Sequence, residues 1–425
     1  MRHTVNPLDI GQTANLILSI LNDQKTPENL EAARSIEREL GGLPLASSQI
    51  ACYIQETGIG LKNFLPYYRR RWKRIHRSDV NLPDYQHYQD TLTNIWHLCS
   101  QKIDAKAKFL GELLAFSQPD RIPLTFFTNQ DEPLVSKRPD FDLLEDEFDF
   151  LSAKSQLEKQ ALVQSDRDSD AFRIHRLIQA VILDSMPKDH IQVRFEDAVL
   201  LVKRAFPKVT SATLPNAYKS EMWHVAQECL PHVLALVQTY QKFRVSPENS
   251  SGFPRLLSDT SWYLYEAGHF ERAKDLLQKA EAVCEHDRPL KASTRSIRAL
   301  IYHHQNFQKE AMQIWEENLA LRRELHGESH FLVGQNLCNL AAAYGELGDM
   351  NKCRDFFKRG QAHRETHHPK DLSDLALHDR NFSSYLIHYG YFKEAEIIVQ
   401  RSLDRYRQCE NEDGFGFNQI ELVEK

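Results

Sequence analysis

Three stretches of this 425-residue sequence gather side chains that could do chemistry. His363 and His367 lie four apart in a helical pattern, with His368 beside them, a spacing that can put two imidazoles on one metal ion. No HExxH pattern and no third ligand accompanies them, and a solvated helix end is the competing reading. Tyr67 to Arg77 carries six Lys or Arg and three aromatics without an acid. It could grip a nucleic-acid backbone or an anionic lipid surface. The alternative is an amphipathic helix end with aromatics inward and cations in water. Gly58-Ile-Gly60 lacks a third glycine and follows no strand, so it reads as a helix terminator rather than a dinucleotide loop. The seven cysteines are widely spaced and form no CxxC, which argues against a disulfide framework or a zinc site. There is no GxSxG elbow and no Cys–His signature. The expectation is a protein that is not an enzyme, with no catalytic residue, no metal site and no cofactor.

Composition narrows the class further. At 41% hydrophobic residues with 22 Phe, the chain can bury several cores and is not disordered throughout. A net charge of -6 argues against a dedicated nucleic-acid binder. Neither a long apolar segment after Met1-Arg2-His3-Thr4 nor a run of about 18 apolar residues is present, so the expectation is a cytoplasmic protein with no membrane partner.

The elements that would position these residues are mainly helices. Val5-Asn6-Pro7-Leu8 is expected to be extended, and Asp9 with Gln12 forms a capping box for the helix that follows. Thr26-Pro27-Glu28 starts a second helix whose stripe is Leu30, Ala33, Ile36 and Leu40, ended by Gly41-Gly42. A third runs from about Pro44 to Gly58. Further helices are expected at 86–101, 104–116, 148–158 and 175–185, and a hairpin of short strands at 161–165 and 171–174. Residues 246–253 read as a linker.

Beyond the linker the sequence repeats itself. Glu266-Ala-Gly-His-Phe-Glu-Arg-Ala273, Glu346-Leu-Gly-Asp-Met-Asn-Lys-Cys353 and His388-Tyr-Gly-Tyr-Phe-Lys-Glu-Ala395 align position by position, and Gln305 to Ala311 fits with one residue of slippage. The anchors Ala273, Ala311, Cys353 and Ala395 are 38, 42 and 42 residues apart. A small anchor lets two helices approach closely, and Gly268, Gly348 and Gly390 would end each first helix in a left-handed turn. Phe270 and Phe392 are expected to fill the corner after the turn. Trp223, Ala226, Cys229 and Leu230 suggest a degenerate leading helix pair over 211–245. Since one pair cannot bury its own stripe, the pairs must stack.

These segments resemble tetratricopeptide repeats, and the 42-residue period is similar to the kinesin-light-chain type. The front half carries a second resemblance. Gly42-Leu-Pro-Leu-Ala46 resembles the GLPLA motif of the NB-ARC family of signalling ATPases, as found in fungal NLR-like (STAND) proteins. Leu92 to Trp96 and Leu113 to Pro123 resemble the family's next helix and its winged-helix opening, and Phe172-Arg-Ile-His-Arg-Leu-Ile-Gln179 resembles its MHD motif. The resemblance implies that Pro44 packs on adenine and His175 reaches the phosphates of ADP. Yet the sequence holds no GxxxxGK[ST] segment, so both residues are expected to be vestigial and ATP hydrolysis absent.

The expected architecture is all-α with a small winged-helix β-hairpin. Residues 1–80 would be an NB-ARC helical lobe, 81–210 a winged-helix module, 211–253 a degenerate helix pair and linker, and 254–425 a repeat superhelix. The expected role is a scaffold or regulator that binds protein partners on the concave face of the repeats, or pairs with a full-length family member. The alternative is a fragment of a complete ATP/ADP-switched protein.

Overall fold

In the computed structural model, residues 9–40, 44–75, 93, 95–128, 141–166, 170–207, 220–245, 252–284 and 287–413 are described. Val5 to Leu8, Gly41 to Leu43, residues 86–92 of an expected helix, Arg167 to Ser169 and residues 246–251 of the expected linker lie outside them, and the linker's last two residues, Gly252 and Phe253, begin a helix. The chain divides into two compact units, one of Met1–Ala205 with Cys229–Pro247, the other of Phe206–Glu228 with Glu248–Lys425.

The first unit opens with three helices, α1 (Ile10–Leu21), α2 (Pro27–Leu40) and α3 (Pro44–Thr57). The capping box forms as expected: the Gln12 amide donates to Asp9 Oδ1 at 2.8 Å and the Asp9 amide to Gln12 Oε1 at 3.2 Å. Thr26 accepts from the Asn29 amide at the start of α2. The core of this bundle is Ala14, Ile17 and Leu18 of α1, Ala33, Ile36 and Leu40 of α2, and Ala46, Ile50 and Ile54 of α3. Gly58, at φ 66°, stops α3, and α4 (Leu61–Ile75) follows.

Next come α5 (residues 95–100), α6 (Ala105–Leu114), β1 (Ile122–Pro123), α7 (Thr125–Thr128), α8 (Asp142–Glu145), α9 (Glu147–Lys159), β2 (Val163–Asp166), β3 (Ala171–Ile174), α10 (Arg176–Ser185) and α11 (Lys188–Ala205). The expected hairpin is part of a three-stranded sheet ordered β1-β3-β2, with Ile122 opposite Phe172 and Val163 opposite Ile174. β1 is too short to leave an alternating pattern, and Pro123 is tolerated because it sits on the edge. Phe172, fully buried, holds the sheet against Phe127 and Phe150 at ring distances of 5.8 and 6.2 Å.

A buried ion cluster ties α6 to α11. Arg194 Nε donates to Glu112 at 2.9 Å and Nη1 to Asp197 at 2.9 Å, with the guanidinium 4.5 Å above the Phe109 ring. His190 approaches the same Glu112 oxygen at 2.8 Å.

Residues 220–243 form one helix, α12 (Ser220–Phe243), and the rest of the segment expected as a degenerate pair, 211–219, lies outside the described residues. Pro231 lies inside it. Proline costs the helix its own amide bond and crowds one carbonyl, and the buried face of Ala226, Cys229, Val233 and Leu236 carries the helix through. Trp223 packs edge-on against Tyr263 at 5.3 Å.

The second unit contains α13 (Gly252–Glu266), α14 (Phe270–Val283), α15 (Arg288–His304), α16 (Gln308–His326), α17 (Phe331–Glu346), α18 (Met350–His367), α19 (Leu372–His388) and α20 (Phe392–Asp413). These are the four expected helix pairs. Each turn closes with the same bond across five residues: His269 to the Leu264 carbonyl, Phe307 to Tyr302, Asp349 to Tyr344 and Tyr391 to Leu386, all 2.8–3.0 Å. Gly268, Gly348 and Gly390 take φ of 75°, 78° and 79°. The expected slippage disappears, because Asn306 occupies the glycine position at φ 64°. The anchors Ala273, Ala311 and Cys353 are fully buried and Ala395 nearly so. Phe270 stacks on His304 of the next pair at 6.3 Å, as expected of a corner residue. Phe392 does not, and is 67% exposed.

The left-handed turns give a direct test. Gly348→Ala should destabilise the protein by about 1–2 kcal/mol, since a Cβ pays the left-handed cost there and meets Tyr389 Oη at 3.3 Å. Asn306→Gly should be neutral or stabilising. Thermal melts of both variants read the difference.

A second periodic device links successive pairs. Arg322, near the end of α16, donates to the Leu332 carbonyl at 3.0 Å, and Arg364, in the matching place on α18, to the Asp374 carbonyl at 3.2 Å. Both guanidinium groups are buried, and burial pulls the Arg322 pKa down to about 10.

Candidate functional site

His175 caps α10. Its Nδ1 accepts from the Leu177 amide at 3.3 Å, so the other ring nitrogen is the one free to donate. Burial, and then the neighbouring Arg176 charge, lower its pKa, which favours the neutral ring. Pro44 is the first residue of α3 and is exposed. It appears neither among the hydrogen-bond partners of His175 nor in the cavity beside α10.

That cavity measures about 590 Å³, within the range of small-molecule sites. Phe116, Ala180, Leu183 and Ala235 give it apolar walls, and Arg176 and Lys242 stand at its edge. Both cations are already paired, Arg176 with Asp120 at 3.1 Å and Lys242 with Asp184 at 3.0 Å. Gln179 spends its amide donors on the Leu114 and Ser117 carbonyls.

His232, bonded to the cavity-lining Gln118, is 1% exposed. Its Nδ1 accepts from the Gln118 amide at 3.2 Å, and its ring lies edge-on to Phe126 at 4.9 Å. Burial drives its pKa down to about 4. A histidine with a folded pKa below its unfolded value binds its proton first in the unfolded chain, so stability falls as pH drops from about 6.5 toward 4. His232→Gln should flatten that slope. Urea melts at stepped pH check it, and an unchanged slope counts against the assignment.

The described part of the basic stretch serves the fold. Arg69 bonds Glu39 at 2.7 Å, Tyr68 is buried against Phe64 at 5.6 Å, and the Tyr67 and Tyr53 hydroxyls meet at 3.2 Å. The side chains from Arg71 onward lie outside the described residues. The three histidine rings lie together, His363 to His367 at 4.8 Å and to His368 at 6.2 Å, but in different surroundings. His363 is 8% exposed, with its Nε2 donating to the Glu328 carbonyl at 2.6 Å and its Nδ1 pressed on Gly334, while His367 is exposed. His363 is therefore a packing residue rather than part of a solvated helix end. No group of three or more metal-ligating side chains is gathered among the described residues, and none of their helices is long and apolar enough to cross a membrane.

The repeats present a polar row that the sequence reading missed. Asn339 of α17 and Asn381 of α19 sit at the same position of successive pairs, 42 residues apart. Both reach the surface, and neither carboxamide has a hydrogen-bond partner among the described residues. One turn further along the same helices come Ala342 and Ser384, with Trp262 and Leu300 at the matching positions of α13 and α15. The signal was in the repeat itself: aligning the turns without slippage brings these positions into register.

Residues 98–191 match a family described only as a domain of unknown function (DUF7779). The chain is 25% identical over 261 residues to a nucleotide-binding leucine-rich repeat (NLR)-like protein of Hyaloscypha variabilis, an alignment covering 58% of this chain and 23% of that protein. It thus spans about a quarter of that relative's length. Among solved structures, a putative kinesin light chain with nearly identical repeats from Podosopora anserina is 14% identical, covering 52% of this chain and 98% of that one at a TM-score of 0.40. A STAND protein with a tetratricopeptide repeat sensor from Pyrococcus horikoshii is 12% identical, covering 98% and 62% at 0.36. Residues 292–332, spanning α15, α16 and the start of α17, match the tetratricopeptide repeat, so the four helix pairs include a repeat of that family.

Proposed function

We propose that this chain is a non-catalytic interaction protein of the NLR-like type that holds an extended peptide segment of a protein partner along the first helices of its repeats. The observation that carries this reading is the pair Asn339 and Asn381. Asn381 is exposed and Asn339 half-buried, and their carboxamides recur at one repeat spacing with both donor and acceptor to offer, which is what the backbone of an extended peptide needs. Trp262 and Leu300 provide apolar surface in the same row. A cytoplasmic setting suits such a protein.

The front half supports or regulates that recognition. Its Pro44 and His175 stand as vestiges of an ADP site, because nothing in these 425 residues forms the glycine-rich cradle and lysine that attract phosphates. A full-length relative that supplies its own nucleotide domain is a suitable partner.

The test is selection of peptides from a random display library on the full chain, followed by titration against Asn339→Ala/Asn381→Ala. Loss of two good hydrogen bonds should weaken binding roughly 10- to 100-fold. Failure to enrich any peptide, or equal affinity for the variant, would sink the proposal. Saturable ATP or ADP binding that is lost in His175→Ala would instead favour the nucleotide-switched reading.

A further inference from the structure

The last helix pair presents an apolar face that the earlier pairs cover. In the first and third pairs, the residue eight before the anchor and the residue three before it meet the following pair. Tyr265 and Phe270 meet His304 at ring distances of 5.5 and 6.3 Å. Gly345 lies beneath the Tyr385 ring, and Met350 is buried in the cluster with Phe382 and Leu386. In the last pair these positions are Ile387 and Phe392, 49% and 67% exposed.

A third position separates this face from a mere open end. Two residues after the anchor, the earlier pairs place Asp275, Gln313 and Asp355, all exposed and polar. The last pair places Ile397 there, 69% exposed. Stacking alone does not call for an isoleucine at a position that faces water in every other pair. Lys393 and Glu396 flank it on the same side of α20, and neither has an ion-pair partner among the described residues.

The charges and the apolar side chains fit one occupant, a second copy of the same helix. We propose that this face forms a homodimer in which α20 crosses α20 of a second copy antiparallel, on a two-fold axis passing between residues 394 and 395. In that register Phe392 faces Ile397 of the second copy and Lys393 faces its Glu396, each pair occurring twice by symmetry. Such a contact is self-complementary and closes at two subunits rather than growing into a filament.

Light scattering on sized fractions and sedimentation equilibrium of the full chain read the assembly directly. The wild-type chain is expected to dimerise in the micromolar range. Ile397→Glu should raise the dissociation constant roughly 30-fold or more, as expected for a central apolar residue. Since Ile397 is exposed, its circular dichroism, and its melting at concentrations where both chains are monomeric, should match the wild type. Lys393→Glu alone and Glu396→Lys alone should each weaken the dimer, and the double exchange should restore it. That rescue belongs to a self-complementary contact and to no other occupant of the face. A wild-type chain that stays monomeric at all accessible concentrations, a dimer indifferent to Ile397→Glu, or a double exchange no better than its single parents would overturn the proposal.

Discussion

Arg194→Ala should destabilise the first unit by about 3–5 kcal/mol, the usual cost of removing one partner from a buried ion pair. Two carboxylates depend on this guanidinium. Glu112 is 4% exposed and Asp197 is 3% exposed, and Arg194 reaches both at 2.9 Å. Without it, Glu112 on α6 stays out of water with the His190 ring 2.8 Å away, and Asp197 on α11 loses a charge-assisted bond. Arg194→Lys should recover little, because an ammonium cannot fork between two acceptors while lying flat over the Phe109 ring. Urea unfolding followed by circular dichroism measures the loss. Replacing Arg194 and Glu112 together with apolar residues of similar volume should cost much less than Arg194→Ala. A loss under 1 kcal/mol for Arg194→Ala would mean that water reaches the cluster.

Trp315→Ala should cost the repeats a similar amount, about 3–5 kcal/mol, by opening a cavity that the helix pairs are too rigid to close. Trp315 is 1% exposed and packs with Ala299, Ala311, Leu319, Val333, Leu337 and Leu340, so it glues α16 to both of its neighbours in sequence. Its indole nitrogen has no hydrogen-bond partner despite complete burial. Trp315→Phe removes that unsatisfied donor along with part of the volume and should therefore cost far less than alanine. A repeat array is held mainly by contacts between neighbours. The alanine variant should consequently melt in two steps, where the wild type melts its repeats in one. Calorimetry distinguishes these outcomes.

The repeats were legible because their turn is a local device. A small anchor, a residue able to take positive φ and a fixed five-residue closure all sit within one short segment, so three of the four turns declared themselves by glycine. The fourth uses Asn306, which reaches the same conformation at some cost, and that substitution produced the false slippage. Phe392 was misjudged because its burial depends on a following pair and not on its own turn. The edge strand β1 left no pattern at two residues. The buried ion cluster was invisible for a different reason. Glu112 and Arg194 are 82 residues apart, and nothing in either local sequence announces the other. Of the residues proposed to act, Pro44 and His175 came from resemblance, whereas Asn339 and Asn381 emerged once the turns were brought into register.

The arginines that join α16 to the start of α17 and α18 to the start of α19 have a mechanical consequence. Pulled from its carboxy-terminal end, the array would resist most strongly where such a guanidinium must leave its carbonyl, and then yield a whole helix pair. Each yield would release roughly 140 Å of chain, 42 residues at full extension. Tension applied there would be stored in discrete clicks rather than as a smooth stretch.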